Sequence, residues 1–132
     1  MKRLLFLLLS MVCSVSWAKW EFAAATERFD SVYVDKSTKQ KSGNFFEMWD
    51  LINFSEEDTY PDGTAFSSSK TFRRYDCVNK TSGVISVVSY SEADGGGKAV
   101  ASGTLAKNEI KDEPISPESI ASTLWKIACG KK

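Results

Sequence analysis

Residues 115–129 read ISPESIASTLWKIAC, and their spacing decides the fold class. Ile120, Ala121, Leu124, Trp125, Ile127 and Ala128 recur every three or four positions, which gathers them on one side of a helix. Ser119, Ser122, Thr123 and Lys126 fall on the opposite side. Ser116 is the expected N-cap, with Pro117 at the first helical position, where a missing N–H costs nothing. Gly130 suits the residue that ends the helix. Burying Leu124 alone contributes about 1.5 to 3 kcal/mol, so the helix needs an apolar surface. Its polar side carries only Lys126 and neutral residues, whereas helices that lie on membranes are rich in Lys and Arg there. The surface is therefore expected to be the protein's own.

The preceding residues supply it. WEFAAAT, SVYVD, FFEMWDLINF, SKTFRRYDCV, GVISVVSYS and KAVASGTLA are rich in β-branched and aromatic residues and are separated by Gly, Ser, Asn, Asp and Lys, which predicts six strands. In the third, Trp49 and Leu51 point to one face and Phe46, Met48 and Ile52 to the other, as expected of a central strand covered on both sides. The glycines of SEADGGGKAV precede Lys98, but strand-like residues flank them on both sides and no Ser or Thr follows the lysine. A hairpin turn fits; a phosphate loop, which runs from a strand into a helix, does not. The expected fold is α+β, an antiparallel sheet of about six strands with a C-terminal helix packed on it.

The chain opens with Lys2 and Arg3 ahead of an apolar run from Leu4 to Leu9, then small residues at Ser16 and Ala18. That pattern reads as a signal peptide, cleaved near Ala18. Lipidation at Cys13 is the weaker alternative, because Val12 stands where a small residue is preferred. The remaining residues, 19–132, suffice for a single domain, and no other stretch is long and apolar enough to span a bilayer. Without Lys2 and Arg3 the chain has fifteen basic residues against seventeen acids, a balance that argues against nucleic acid. The expected location is the periplasm, the outer-membrane surface or the medium.

Export exposes the two remaining cysteines, Cys77 and Cys129, to an oxidising compartment, where they allow one pairing. A redox-active pair would call for a CxxC spacing or a nearby histidine, and the sequence has neither. A structural disulfide is expected, tying the end of the helix to the fourth strand. The absence of histidine also removes the Ser/His/Asp triad, the Cys/His dyad and most zinc sites. Glu56, Glu57 and Asp58, or Asp112 and Glu113, could in principle serve as catalytic carboxylates, but each group reads as polar, proline-adjacent loop. The spacing of EEDTYPDG is not that of a calcium loop. No catalytic residue, cofactor or metal is expected.

The order of several short pieces resembles the bacterial surface-adhesin protein E-like family. They are VYVD at Val32 to Asp35, then Ser37, Lys41, Gly43 and Asn44, WDL at Trp49 to Leu51, Ser69 and Lys70, and YDC at Tyr75 to Cys77. Tyr90 and Ser91, the Gly95 and Gly97 turn, Pro117 and Cys129 complete the series. The chain departs from the family pattern at Thr38, at VNKTSG after Cys77 and at SPES before the helix. The resemblance implies an exported α+β domain that, in the adhesin members, binds host proteins. A periplasmic module that holds a small ligand or assists another envelope protein is the alternative. The residues themselves offer one candidate contact, Lys70, Arg73 and Arg74 in SKTFRRYDC, interleaved with Phe72 and Tyr75. Arg beside aromatics is favoured at protein-binding hot spots. Alternation puts Arg73 and Tyr75 on one face, and Lys70, Phe72 and Arg74 on the other. A solvated half-exposed strand is the competing reading.

Overall fold

The computed structural model describes residues 19–28 and 30–131, so the segment read as a signal peptide, with Cys13, lies outside the described residues. Seven strands form one antiparallel sheet: β1 (Glu21–Ala25), β2 (Ser31–Ser42), β3 (Phe45–Thr59), β4 (Ala65–Asp76), β5 (Thr81–Tyr90), β6 (Ala99–Thr104) and β7 (Glu113–Pro114). The first six lie in chain order, and β7 pairs with the start of β5. Each connection is a hairpin or a short loop, as antiparallel neighbours permit. Ser42 pairs with Phe45, leaving Gly43 and Asn44 as a two-residue turn, and Gly43 has φ of 60°. A turn with positive φ at its first central residue matches the twist of a hairpin, and glycine adopts it without a steric penalty. Register shifts interrupt all five pairings between β1 and β6, at Phe22/Ala24, Asp35/Gln40, Asn53/Asp58, Phe72/Arg73 and Ser89/Tyr90. Such bulges bend strands and increase twist, and the sheet is curled.

The helix α1 (Ile120–Cys129) lies across β1 to β4. Leu124, Trp125 and Ala128 enter a buried core with Val32, Val34, Met48 and Tyr75, with Phe46 and Ile52 packed against it. The predicted faces of β3 therefore hold, and the six predicted strands and the helix are present.

Four local expectations change. The N-cap is Ser119, whose hydroxyl accepts the Ser122 N–H at 3.1 Å, not Ser116. Glu118 has φ of 60°, outside the helical region, so no helix runs from Pro117 through it. Ser122 is buried rather than on the wet side. Its neighbours on that side of the helix explain why: the indole N–H of Trp125 donates to the carbonyl of Asp76 at 2.8 Å, and Cys129 is bonded to Cys77. Both attachments reach the end of β4, and together they roll the helix toward Ser122. Third, β3 continues through Glu56, Glu57 and Asp58, which sequence reading places in a loop. Fourth, Glu113 belongs to β7.

The disulfide Cys77–Cys129 spans a Cα–Cα distance of 5.7 Å, within the ordinary range. Asp76, beside it, shapes the turn that follows. Its carboxylate accepts the backbone N–H groups of Val78 and Asn79 and the Asn79 side-chain amide. The Asn79 bonds, with that from Val78, hold its carboxyl below the usual carboxylate range.

Candidate surface sites on the two faces of the sheet

The strand β4 divides the candidate cations between two environments. On the helix side, Arg73 Nε donates to Asp50 Oδ2 at 2.6 Å. Asp50 is fully buried, and its Oδ1 and the hydroxyl of Tyr75 have no hydrogen-bond partner among the described residues. Burial pushes the Asp50 carboxyl up, and the Arg73 guanidinium opposes that shift. Burial likewise pushes the Tyr75 hydroxyl far above its ordinary value. Arg73 also borders a cavity of about 210 Å³ between sheet and helix, walled by Ile52, Ile120 and Leu124. It is thus a partner of a buried carboxylate rather than a member of a surface patch.

The other face carries Lys70, Phe72 and Arg74. Arg74 grips Asp112 with two bonds, at 2.9 and 2.6 Å, and lies 4.5 Å from the centre of the Phe45 ring. The bond to Asp112 raises the pKa of Arg74. Phe72 stacks on its cross-strand partner Trp49 with ring centres 5.1 Å apart. Lys70 sits opposite Leu51 on β3 and Val88 on β5, and its ammonium lies 5.0 Å from the Tyr90 ring and 5.8 Å from the Trp20 ring. The stacked pair separates two cavities. One, of about 290 Å³, is lined by Trp20, Asp35, Thr38, Trp49, Lys70, Val88 and Tyr90. The other, of about 500 Å³, includes Phe45, Phe72, Arg74 and Leu105. The structure thus keeps Lys70 and Arg74 on one face, in a groove of two cavities parted by the stacked rings, and places Arg73 on the other.

Sequence reading missed the aromatic walls of this groove. Trp20, Trp49 and Tyr90 come from the N-terminal segment, β3 and the end of β5, and only the register of the four pairings from β1 to β5 brings them around Lys70. The one legible signal was the alternation that put Trp49 and Leu51 on a common face. Asp112, the partner of Arg74, gave none.

At the far end of the sheet Asp30 accepts the Ser55 N–H at 2.9 Å, which holds its carboxyl below the usual range. With Arg28, Glu56, Glu57 and Asp58 it borders a polar cavity of about 340 Å³. Among the described residues no group of three or more His, Cys, Asp and Glu side chains is placed to hold a metal ion. None of the described helices is long and apolar enough to cross a membrane.

Residues 20–130 match the surface-adhesin protein E family. The chain belongs to that family. Solved structures of Haemophilus influenzae protein E share the fold: one aligns with a TM-score of 0.60 at 14% identity, covering 83% of both chains. A second crystal form gives 0.61 at 14% identity, over 83% of this chain and 87% of the other. Protein E from non-typeable Haemophilus influenzae gives 0.54 at 15% identity, over 81% and 71%. At such identity the likeness is one of fold. No curated protein matches the chain in sequence. The pieces that carry the likeness to the surface-adhesin E family have distinct physical roles here. In WDL, Trp49 walls the groove, Asp50 takes the buried ion pair and Leu51, 1% exposed, lies beneath Lys70. In YDC, Tyr75 fills the core, Asp76 shapes the turn and Cys77 forms the disulfide.

Proposed function

We propose that this is an exported, non-enzymatic envelope protein that binds another protein through the groove face of its sheet. The observation that carries the reading is the composition of that face: Trp20, Trp49, Phe72 and Tyr90 stand around Lys70 on the side of the sheet opposite α1. Aromatic side chains in partly formed pockets are the usual centres of protein-binding surfaces. Membership in a family of surface adhesins supports the same reading, as does a mature segment without histidine. An acidic partner suits Lys70, which is in none of the ion pairs found among the described residues.

Lys70→Glu is the informative variant. Arg74→Glu would set a second carboxylate against Asp112 and disturb the fold, whereas Lys70 has no such tie. Capture from envelope extract and from host matrix should fall with Lys70→Glu and with rising salt, since exposed charges are screened. Capture indifferent to both would remove the groove as the binding surface. Protease treatment of intact cells tests location: cleavage places the protein outside the outer membrane, and protection places it in the periplasm.

A further inference from the structure

The pocket around Lys70 has a specific shape and charge. Its walls are the rings of Trp20, Trp49 and Tyr90, and its volume of about 290 Å³ sits at the small end of ligand pockets. Most of its polar groups are already engaged within the protein. Asp35 Oδ1 accepts both the backbone N–H and the hydroxyl of Ser37, and the Thr38 hydroxyl donates to the Asp35 carbonyl at 2.6 Å while accepting the Trp49 N–H at 3.0 Å. The Lys70 ammonium is different. It has three donors, and none meets a carboxylate among the described residues. The fold also makes room for it. Gly95 has φ of 69°, and a Cβ there would lie 2.5 Å from Lys70 Cε, so the glycine lets the lysine stem pass and its head reach the two rings.

We propose that this pocket binds an aromatic carboxylate, with the ring against Trp49 and Tyr90 and the carboxylate on the Lys70 ammonium. The assignment names the ligand chemistry of the groove described above and rests on that groove being a binding surface. A single ring fits the volume, flat walls favour a flat ligand through offset or edge-on aromatic contacts, and the unpaired cation supplies the charge complement. Two sources carry this chemistry: a free aromatic acid, or the last residue of a partner chain that ends in an aromatic side chain. Beyond the stacked Trp49 and Phe72, on the same face of the sheet, lies the larger cavity, which gives a chain end room to lie.

Phenylacetate and its neutral amide, phenylacetamide, are the first probes, followed by tryptophan fluorescence and calorimetry on the unaltered protein. Phenylacetate should bind saturably, the amide about tenfold more weakly, and Lys70→Met should weaken phenylacetate by about the same factor because it keeps the stem and removes the charge. A tripeptide ending in phenylalanine with a free carboxylate separates the sources. Tighter binding than phenylacetate assigns a partner's C-terminus, and equal or weaker binding assigns a free acid. The proposal is overturned if the amide binds as tightly as the acid, if Lys70→Met leaves the Kd unchanged, or if no saturable binding is seen. The amide comparison needs no variant, so it decides the matter even where Lys70→Met folds poorly. Loss of protein capture in Lys70→Glu together with no phenylacetate binding would leave the binding surface standing and remove the ligand assignment.

Discussion

The indole N–H of Trp125 donates to the carbonyl of Asp76 at 2.8 Å, one residue before the cysteine that is bonded to Cys129. The helix is thus attached twice, once covalently and once by a buried hydrogen bond, to the same end of β4. The two attachments should differ in magnitude. Cys77→Ser and Cys129→Ser each open the same loop, between cysteines 52 positions apart, and each should cost about 4 kcal/mol in the loop-entropy account. Trp125→Phe should cost about 1 kcal/mol for the lost bond, because the Asp76 carbonyl also accepts the Lys80 N–H. Urea midpoints of the three variants measure this, and unequal cysteine variants would point to a separate role for one sulfur.

The roll of the helix is testable at two polar positions. Leu124→Ala should cost about 2 to 5 kcal/mol. Ser122→Leu should cost about 1 to 3 kcal/mol by overpacking a buried position, while Lys126→Leu on the exposed side should change little. Equal tolerance at both would mean that Ser122 is not packed against the sheet.

Arg73 and Arg74 are adjacent in sequence and should respond unequally. Arg73→Met leaves the buried Asp50 carboxylate unpaired and should cost about 3 to 5 kcal/mol. Arg74→Met breaks a pair nearer the surface and should cost well under half of that. Tyr75→Phe removes a buried hydroxyl with no partner among the described residues, so stability should hold or rise by about 1 kcal/mol.

Acid should weaken the fold through Asp76 and Asp30. Backbone N–H groups, of Asn79 for the first and of Ser55 for the second, lower both pKa values in the folded protein. A depressed carboxyl contributes stability above its unfolded value of about 4, and that contribution is lost as pH falls through the lower folded value. Asp76→Asn should therefore be less stable than the unaltered protein at neutral pH, with the gap closing under acid. Urea midpoints between neutral pH and strong acid would show the convergence; a constant gap would assign the effect to shape alone.

Glycine positions separate backbone strain from space. Gly95 and Gly130 both have positive φ, near 69° and 66°, so alanine at either should cost about 1 to 2 kcal/mol. Nothing lies near a Cβ at Gly130, whereas one at Gly95 would strike Lys70. Only Gly95→Ala should move the NMR signals of Trp20 and Tyr90.

What sequence reading recovered follows from local rules. Alternation along β3, the change of period at Ile120 and the count of cysteines in an exported chain are each contained in a few consecutive residues or in composition. The N-cap was misplaced by three residues because Pro117 favours a helix start, yet Glu118 takes a positive φ that a sequence does not display. The solvent side of the helix was misread at Ser122 because its roll depends on Trp125 and Cys129 reaching β4, a tertiary constraint. The pairs Arg73 with Asp50 and Arg74 with Asp112 depend on register and on a loop 38 residues away, and neither is written in a local pattern.

The disulfide also fixes how the molecule is connected under cleavage. Cys77 and Cys129 close a covalent ring that contains β5, β6, β7 and the whole helix, and the first four strands form a linear tail leading into it. A single peptide-bond cut within the ring leaves every residue linked to every other until a reductant is added. A cut in the tail, for example in the turn after Tyr60, frees a fragment held only by hydrogen bonds and packing. Protease treatment read on non-reducing and reducing gels therefore reports which half of the sheet was reached, and a ring-half nick would pass as an intact protein unless both are run.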